Sequence, residues 1–158
     1  MADDIFNIAK GKVNAYTERV ANNDPANSAL VVVVLQAAEA DAVLEDYDDL
    51  AALLAAAGNT EADFTNYARK VLTDAELTAP TPDDTNNLQL SDAPDQVWAN
   101  AGGTTDNTTA KFLICYDPDT TGGDDSTIIP LTQHDFVATT NGNDFTAVIP
   151  VTGFYSAG

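Results

Sequence analysis

Basic residues are scarce in this chain. Six Lys and Arg stand against 25 Asp and Glu, giving a net charge of −19 at pH 7 over 158 residues. Binding to nucleic acid needs a cationic face, so this composition excludes it. Cysteine is limited to Cys115, which rules out an internal disulfide or a multi-cysteine zinc site. A nucleophilic thiol needs a base, and His134 is the only histidine. Cys115 lies inside the apolar run FLICY and reads as a buried, inert thiol. A Cys115–His134 pair across strands has nothing in the sequence to support it. His134 itself, beside Asp135, reads as a surface histidine. One His makes no zinc site without carboxylate help, and a triad needs a placed serine. Long apolar runs are lacking too. Ala29–Leu35 has the length of a strand, against about 20 residues for a membrane-spanning helix. The start, MADDIFNIAK, carries Asp3 and Asp4 and no apolar signal region. The expectation is a protein made in a cytoplasm, with no membrane partner.

Apolar residues are plentiful at 44%, enough for the core of one compact domain and too many for a disordered chain. Charge is uneven along the chain. Residues 1–20 hold Lys10, Lys12 and Arg19 against Asp3, Asp4 and Glu18 and are neutral, so the other residues carry the whole excess. Self-repulsion of this size keeps a protein apart from its copies unless its interfaces are apolar or face basic partners.

Periodicity predicts the elements. Ile5, Phe6, Ala9, Val13, Tyr16 and Val20 make one stripe of a helix over 3–21, with Asp3 or Asp4 as its cap and NNDPAN as its stop. Residues 1–27 thus form an N-terminal helix and linker. The stripe can pack on its own domain or serve as a docking arm, with Ile5, Phe6, Val13 and Tyr16 as interface candidates. ALVVVVLQ at 29–36 reads as a strand buried on both faces. A second helix is expected over roughly 47–57, capped by Asp46 and stopped by Gly58. The rest turns to strands: 65–72, 88–90, 96–98, 111–116, 126–132, 134–140 and 144–151. Loops are expected at 78–87 and 101–109, and a hairpin turn at Asn141-Gly142. The fold class is α+β, mainly β. It is a small antiparallel sandwich or barrel with an N-terminal helix and one short inserted helix. Residues 28–158 form a single β-rich domain.

The stretch CYDPDTTGGDDSTIIPL, 115–131, invites a calcium reading. Asp117, Asp119 and Thr121 fall at the first, third and fifth positions of a calcium loop. Gly122 falls at the sixth and Asp125 at the ninth. The twelfth is Ile128, not the bidentate Glu, and strands rather than helices flank it. Ca²⁺ is the one ion these residues suggest, and no cofactor is expected. The reading preferred over it is an Asp- and Gly-rich hairpin turn. Adjacent acid pairs (Asp48/Asp49, Asp83/Asp84, Asp124/Asp125) imitate glycosidase carboxylates only superficially, because neighbours on a strand point to opposite faces. Trp98 reads as a core anchor. Arg69 and Lys70 read as a solvated basic pair and as interface candidates.

The order of these segments carries a resemblance. SALVVVVL is followed by DYDDLAALLA, FTNYARK and a DDTNN loop. DQVWANAGG, KFLICYDPDTT, IIPLT, HDF and NGNDFTAVIPVTGFYSAG complete the chain. It resembles a group of small virion structural proteins of tailed bacteriophages, over nearly its whole length. The resemblance implies head or tail structural components, located in the virion, with no catalytic residues. Its expected partners are copies of itself in a cyclic oligomer, a trimer favoured, and the major capsid protein or other virion proteins. A capsid decoration (cement) protein is the leading reading. A minor tail, collar or fibre protein touching host glycans is the alternative. A small hydrolase using Asp and His134 is the third.

Overall fold

The computed structural model describes residues 3–158; Met1 and Ala2 of the N-terminal arm lie outside the described residues. The fold is mainly β, antiparallel and of the α+β class. Eleven strands are described: β1 (Asp3–Ile5), β2 (Ala29–Ala37), β3 (Thr60–Glu61), β4 (Lys70–Leu72), β5 (Thr81–Asp83), β6 (Leu88–Ser91), β7 (Gln96–Ala101), β8 (Lys111–Asp117), β9 (Ile129–Asp135), β10 (Asn143–Ala147) and β11 (Tyr155–Ala157). Three α-helices accompany them: α1 (Val13–Ala21), α2 (Asp41–Leu44) and α3 (Leu50–Ala55).

The main sheet runs β1-β9-β8-β2-β3, with β4 also pairing with β2. β2 and β8 pair antiparallel from Ala29↔Asp117 to Leu35↔Lys111. All seven residues of each in that register are buried. Burial on both faces is what their unbroken aliphatic runs require. One face carries Leu30, Val32 and Val34 opposite Tyr116, Ile114 and Phe112. On this face Tyr16 of α1 packs on Tyr116, ring centroids 4.6 Å apart. A chain of rings, Phe112–Phe136–Phe145–Trp98, leads from it to the separate β7–β10 pair. The other face carries Leu113 opposite Gln133 and Lys111 opposite Asp135. There Gln133 Nε2 donates to the Asp41 carbonyl at the start of α2. The third sheet, β11-β6-β5, lies beside α1.

Several expected elements are corrected. The helix over 3–21 is three pieces. Asp3–Ile5 pairs with β9, Asn7–Ala9 is one 3-10 turn, and only Val13–Ala21 is α-helical. Gly11 at φ +75° breaks the helix, and edge pairing with β9 outweighs a modest helical propensity. The helix over 47–57 is likewise shorter. Asp49, not Asp46, caps it, accepting from Ala52 N at 2.7 Å. Tyr47 lies before it, and its hydroxyl donates to Glu39 at 2.8 Å. Of the strand at 65–72 only Lys70–Leu72 forms, because Thr65, Asn66 and Tyr67 turn around the aromatic cluster. The loop at 78–87 contains β5. The strands at 126–132 and 134–140 are one, β9, ending at Asp135. The strand over 144–151 ends at Ala147, and its partner is β7, not the preceding strand. Gly142 N donates to Ala101 O at 2.7 Å, so Asn141-Gly142 is a corner between sheets rather than a hairpin turn.

Candidate functional site

Residues singled out in the sequence gather at the β8–β9 end of the main sheet. The loop after β8 is stitched by its own aspartates. Asp117 accepts from Asp119 N at 3.0 Å. Asp119 Oδ1 accepts from Thr121 N at 3.0 Å and from Thr121 Oγ1 at 2.6 Å. Asp124 accepts from Ser126 N at 2.9 Å, capping the 3-10 turn Asp125–Thr127. These short side-chain returns to the backbone are what Asp contributes to turns. The hydrogen bonds from Thr121 hold the Asp119 carboxyl below its usual pKa, and those from Ser126 do the same for Asp124.

Asp125 points elsewhere. Arg69 Nη1 donates to Asp125 Oδ1 at 2.6 Å, and Nη2 donates to Oδ2 at 2.8 Å. The same guanidinium reaches Glu61 through Nε (2.8 Å) and Nη2 (2.7 Å). Tyr67 Oη donates to Glu61 and accepts from Val34 N, which ties the cluster to β2. The Arg69 hydrogen bonds hold the Asp125 carboxyl below its usual range. Arg69 is therefore no solvated base but a partly buried clamp on two carboxylates. Lys70 is not simply solvated either: Nζ lies 5.2 Å from the Trp98 ring centroid, a cation–π contact.

The hollow at this end measures about 190 Å³ and is lined by Asp117, Thr120, Gly122, Gly123, Asp124, Asp125 and Ile128. Its carboxylates do not converge as a calcium loop requires. The intended ninth ligand is held by Arg69, and Asp119 is committed to Thr121. Among the described residues, no three His, Cys, Asp or Glu side chains gather where an ion could be held.

The other sequence candidates are dispersed. His134 is 1% exposed, not on the surface. Its ring stacks on Phe112 at 4.6 Å, and Nε2 lies 2.9 Å from Thr132 Oγ1. Cys115 pairs with Pro130 in the β9 register and His134 with Phe112, so thiol and imidazole do not meet. Burial pushes the Cys115 thiol far up. Trp98 is the core anchor expected, 1% exposed, with Nε1 donating to Ala68 O at 2.8 Å. Phe6 and Val13 are wholly buried in this chain's own core, which corrects their reading as docking residues. Tyr16 is half-buried against Tyr116, and Ile5 is half-buried at the sheet edge.

Two polar centres escaped the sequence reading. Lys111 is buried, with Nζ 2.6 Å from Asp41 and 2.5 Å from Asp135. Burial works against its charge, but the hydrogen bonds to Asp135 and Asp41 outweigh it and its pKa rises. Asn107 Oδ1 accepts from Asp63 N (2.8 Å) and Phe64 N (2.9 Å), while Nδ2 donates to Asp63 Oδ1 (2.9 Å). Nothing local marks either residue, because their partners lie on distant segments. The exposed Val148 (60%) was legible in principle, whereas Val151 (95%) was not, since alternation groups it with Phe145 and Ala147. Alternation in DFTAVIPV puts Val148 on the face opposite Phe145 and Ala147.

Comparison of the chain with family models, with curated proteins and with solved structures finds no match in any of the three.

Proposed function

We propose that this chain is a non-enzymatic structural protein of a tailed-bacteriophage virion, most specifically a capsid decoration protein that reinforces the head lattice. The observation that carries the reading is where the charges sit. Lys10 pairs with Glu45, Arg69 with Glu61 and Asp125, and Lys111 with Asp41 and Asp135. Half of the six bases are therefore held in ion pairs with the protein's own acids, and most of the Asp and Glu side chains are exposed. A β scaffold with such an exterior is repelled by its own kind in solution. It is drawn to a cationic lattice, where electrostatic complementarity sets register and rate of docking. The shell subunit is the proposed partner, and the chain's own copies join in a cyclic trimer only on that lattice, where its positive charge offsets their repulsion.

The test is a cryo-EM map of the virion with copy numbers from quantitative mass spectrometry. The expected result is density outside the head at a copy number near that of the shell subunit. A few copies on the tail would overturn the decoration reading and favour a tail, collar or fibre component. Absence from purified virions would overturn both.

A further inference from the structure

A cleft of about 240 Å³ lies between two strands that each end a sheet. One wall is β1, the last strand of the main sheet, through Asp4 and Ile5. The other is β11, the last strand of its own sheet, through Tyr155 and Ser156. The volume falls below the roughly 300–1,000 Å³ of sites that enclose a small molecule, and two strands and the turn before β11 line it.

The direction of the β1 edge follows from one hydrogen bond. Phe6 N donates to Leu131 O at 3.1 Å. Successive residues of an antiparallel strand alternate between facing the partner and facing away. Ile5, paired by position with Thr132, therefore turns its N–H and C=O away from β9, along the edge that borders the cleft. The turn closing the far side is rigid. Gly153 sits at φ +77°, and a Cβ there would lie 2.2 Å from Ser91 O. Gly153 N is fixed to Pro150 O at 2.8 Å. Beside this turn Val151 is 95% exposed.

We infer that this cleft binds an extended, basic peptide segment of another protein as an added strand on β1. Free edge amides give such a segment its main-chain pairing. Exposed Asp4, which lines the cleft, offers a carboxylate to a basic side chain. The charge balance selects the occupant. A second copy brings another −19. Its own bases are either ion-paired (Lys10, Arg69, Lys111), beside or within α1 (Lys12, Arg19) or over Trp98 (Lys70). None lies in a free extended segment among the described residues. The inference concerns only how the chain grips a partner and does not require the virion reading.

The probe is the acetylated, amidated peptide Lys-Val-Thr-Val-Lys, titrated into the ¹⁵N-labelled protein. The expected result is amide shifts concentrated at Ile5, Thr132, Tyr155 and Ser156, with slowed exchange of the Ile5 N–H. Replacing the central Thr of the peptide by Pro keeps the charge and removes a pairing N–H, and should weaken binding at least tenfold. Ile5→Pro deletes the outward donor without touching a β9 hydrogen bond, a tolerated edge position, and should do the same. Asp4→Lys leaves the backbone alone and should turn the preference toward Glu-Val-Thr-Val-Glu. Shifts spread over the acidic surface, or unaffected by proline in the peptide, would overturn the inference. If Ile5→Pro fails to fold, the Asp4→Lys charge reversal decides: an unchanged preference for the basic peptide would overturn it.

Discussion

The Arg69 guanidinium holds Asp125, 56 residues further along the chain, in a two-point grip of 2.6 and 2.8 Å. This bond fixes the β8–β9 loop to the segment that enters β4, and Glu61 completes the cluster from β3. Removing Arg69 leaves two partly buried carboxylates facing each other. Arg69→Met should destabilise the protein by about 1–3 kcal/mol, less than the loss of a fully buried pair because the groups keep some water. Urea unfolding measures it. Arg69→Lys should not restore the loss, since an ammonium lacks the planar fork.

The same pair sets part of the acid response. The Arg69 hydrogen bonds lower the folded-state pKa of Asp125. Its contribution is therefore complete above the unfolded carboxyl pKa of about 3.9 and is lost as pH falls through the lower folded value. Stability curves of wild type and Arg69→Met should run apart above pH 4 and converge below it. Parallel curves down to pH 2 would refute this assignment.

Net charge gives a salt response of a definite sign. At −19 the folded state is strained by self-repulsion, and salt screens it within about 8–10 Å at 0.10–0.15 M. Melting temperature at pH 7 should rise with NaCl, by about 2–4 °C for each kcal/mol of repulsion removed. A fall would mean that the internal ion pairs outweigh the surface surplus.

Cys115 is wholly buried, and its thiol pKa is pushed far up by burial. Native protein at pH 8 should resist iodoacetamide, while protein in urea should be alkylated once per chain. Modification of the native state at the unfolded rate would show that β8 opens readily.

Asn107 joins the Asp63–Phe64 backbone to the loop before β8. Asn107→Ala strands two N–H groups and should cost about 2–4 kcal/mol by urea unfolding. Asn107→Asp keeps the acceptor but sets a carboxylate in the place of the amide that lies 2.9 Å from Asp63 Oδ1. It should be weakened at pH 7 and recover as pH is lowered toward 4.

The sequence by itself determined the centre of this protein. The runs ALVVVVLQ and KFLICY had to lie inside a sheet, since no other setting buries both faces of a β-branched run. The Asp- and Gly-rich stretch between Cys115 and Leu131 had to be a turn, because its hydrogen bonds close within two or three residues. Trp98 had to anchor a core. Such features rest on local periodicity and local side-chain chemistry, which a sequence displays. Tertiary structure alone decided the rest. The stripe from Ile5 to Val20 has helical spacing, yet β9 claims its first residues because a sheet edge offers more than a short helix broken at Gly11. β10 follows β9 in the chain but pairs with β7, where Phe145 meets Trp98. His134 reads as polar surface and lies buried, because its ring stacks on Phe112. Arg69 and Lys111 are ordinary bases in the sequence. Asp125 for Arg69, and Asp41 and Asp135 for Lys111, lie 24 to 70 residues away and make them clamps. A partner at that separation is chosen by register and packing, and no short window of residues contains it.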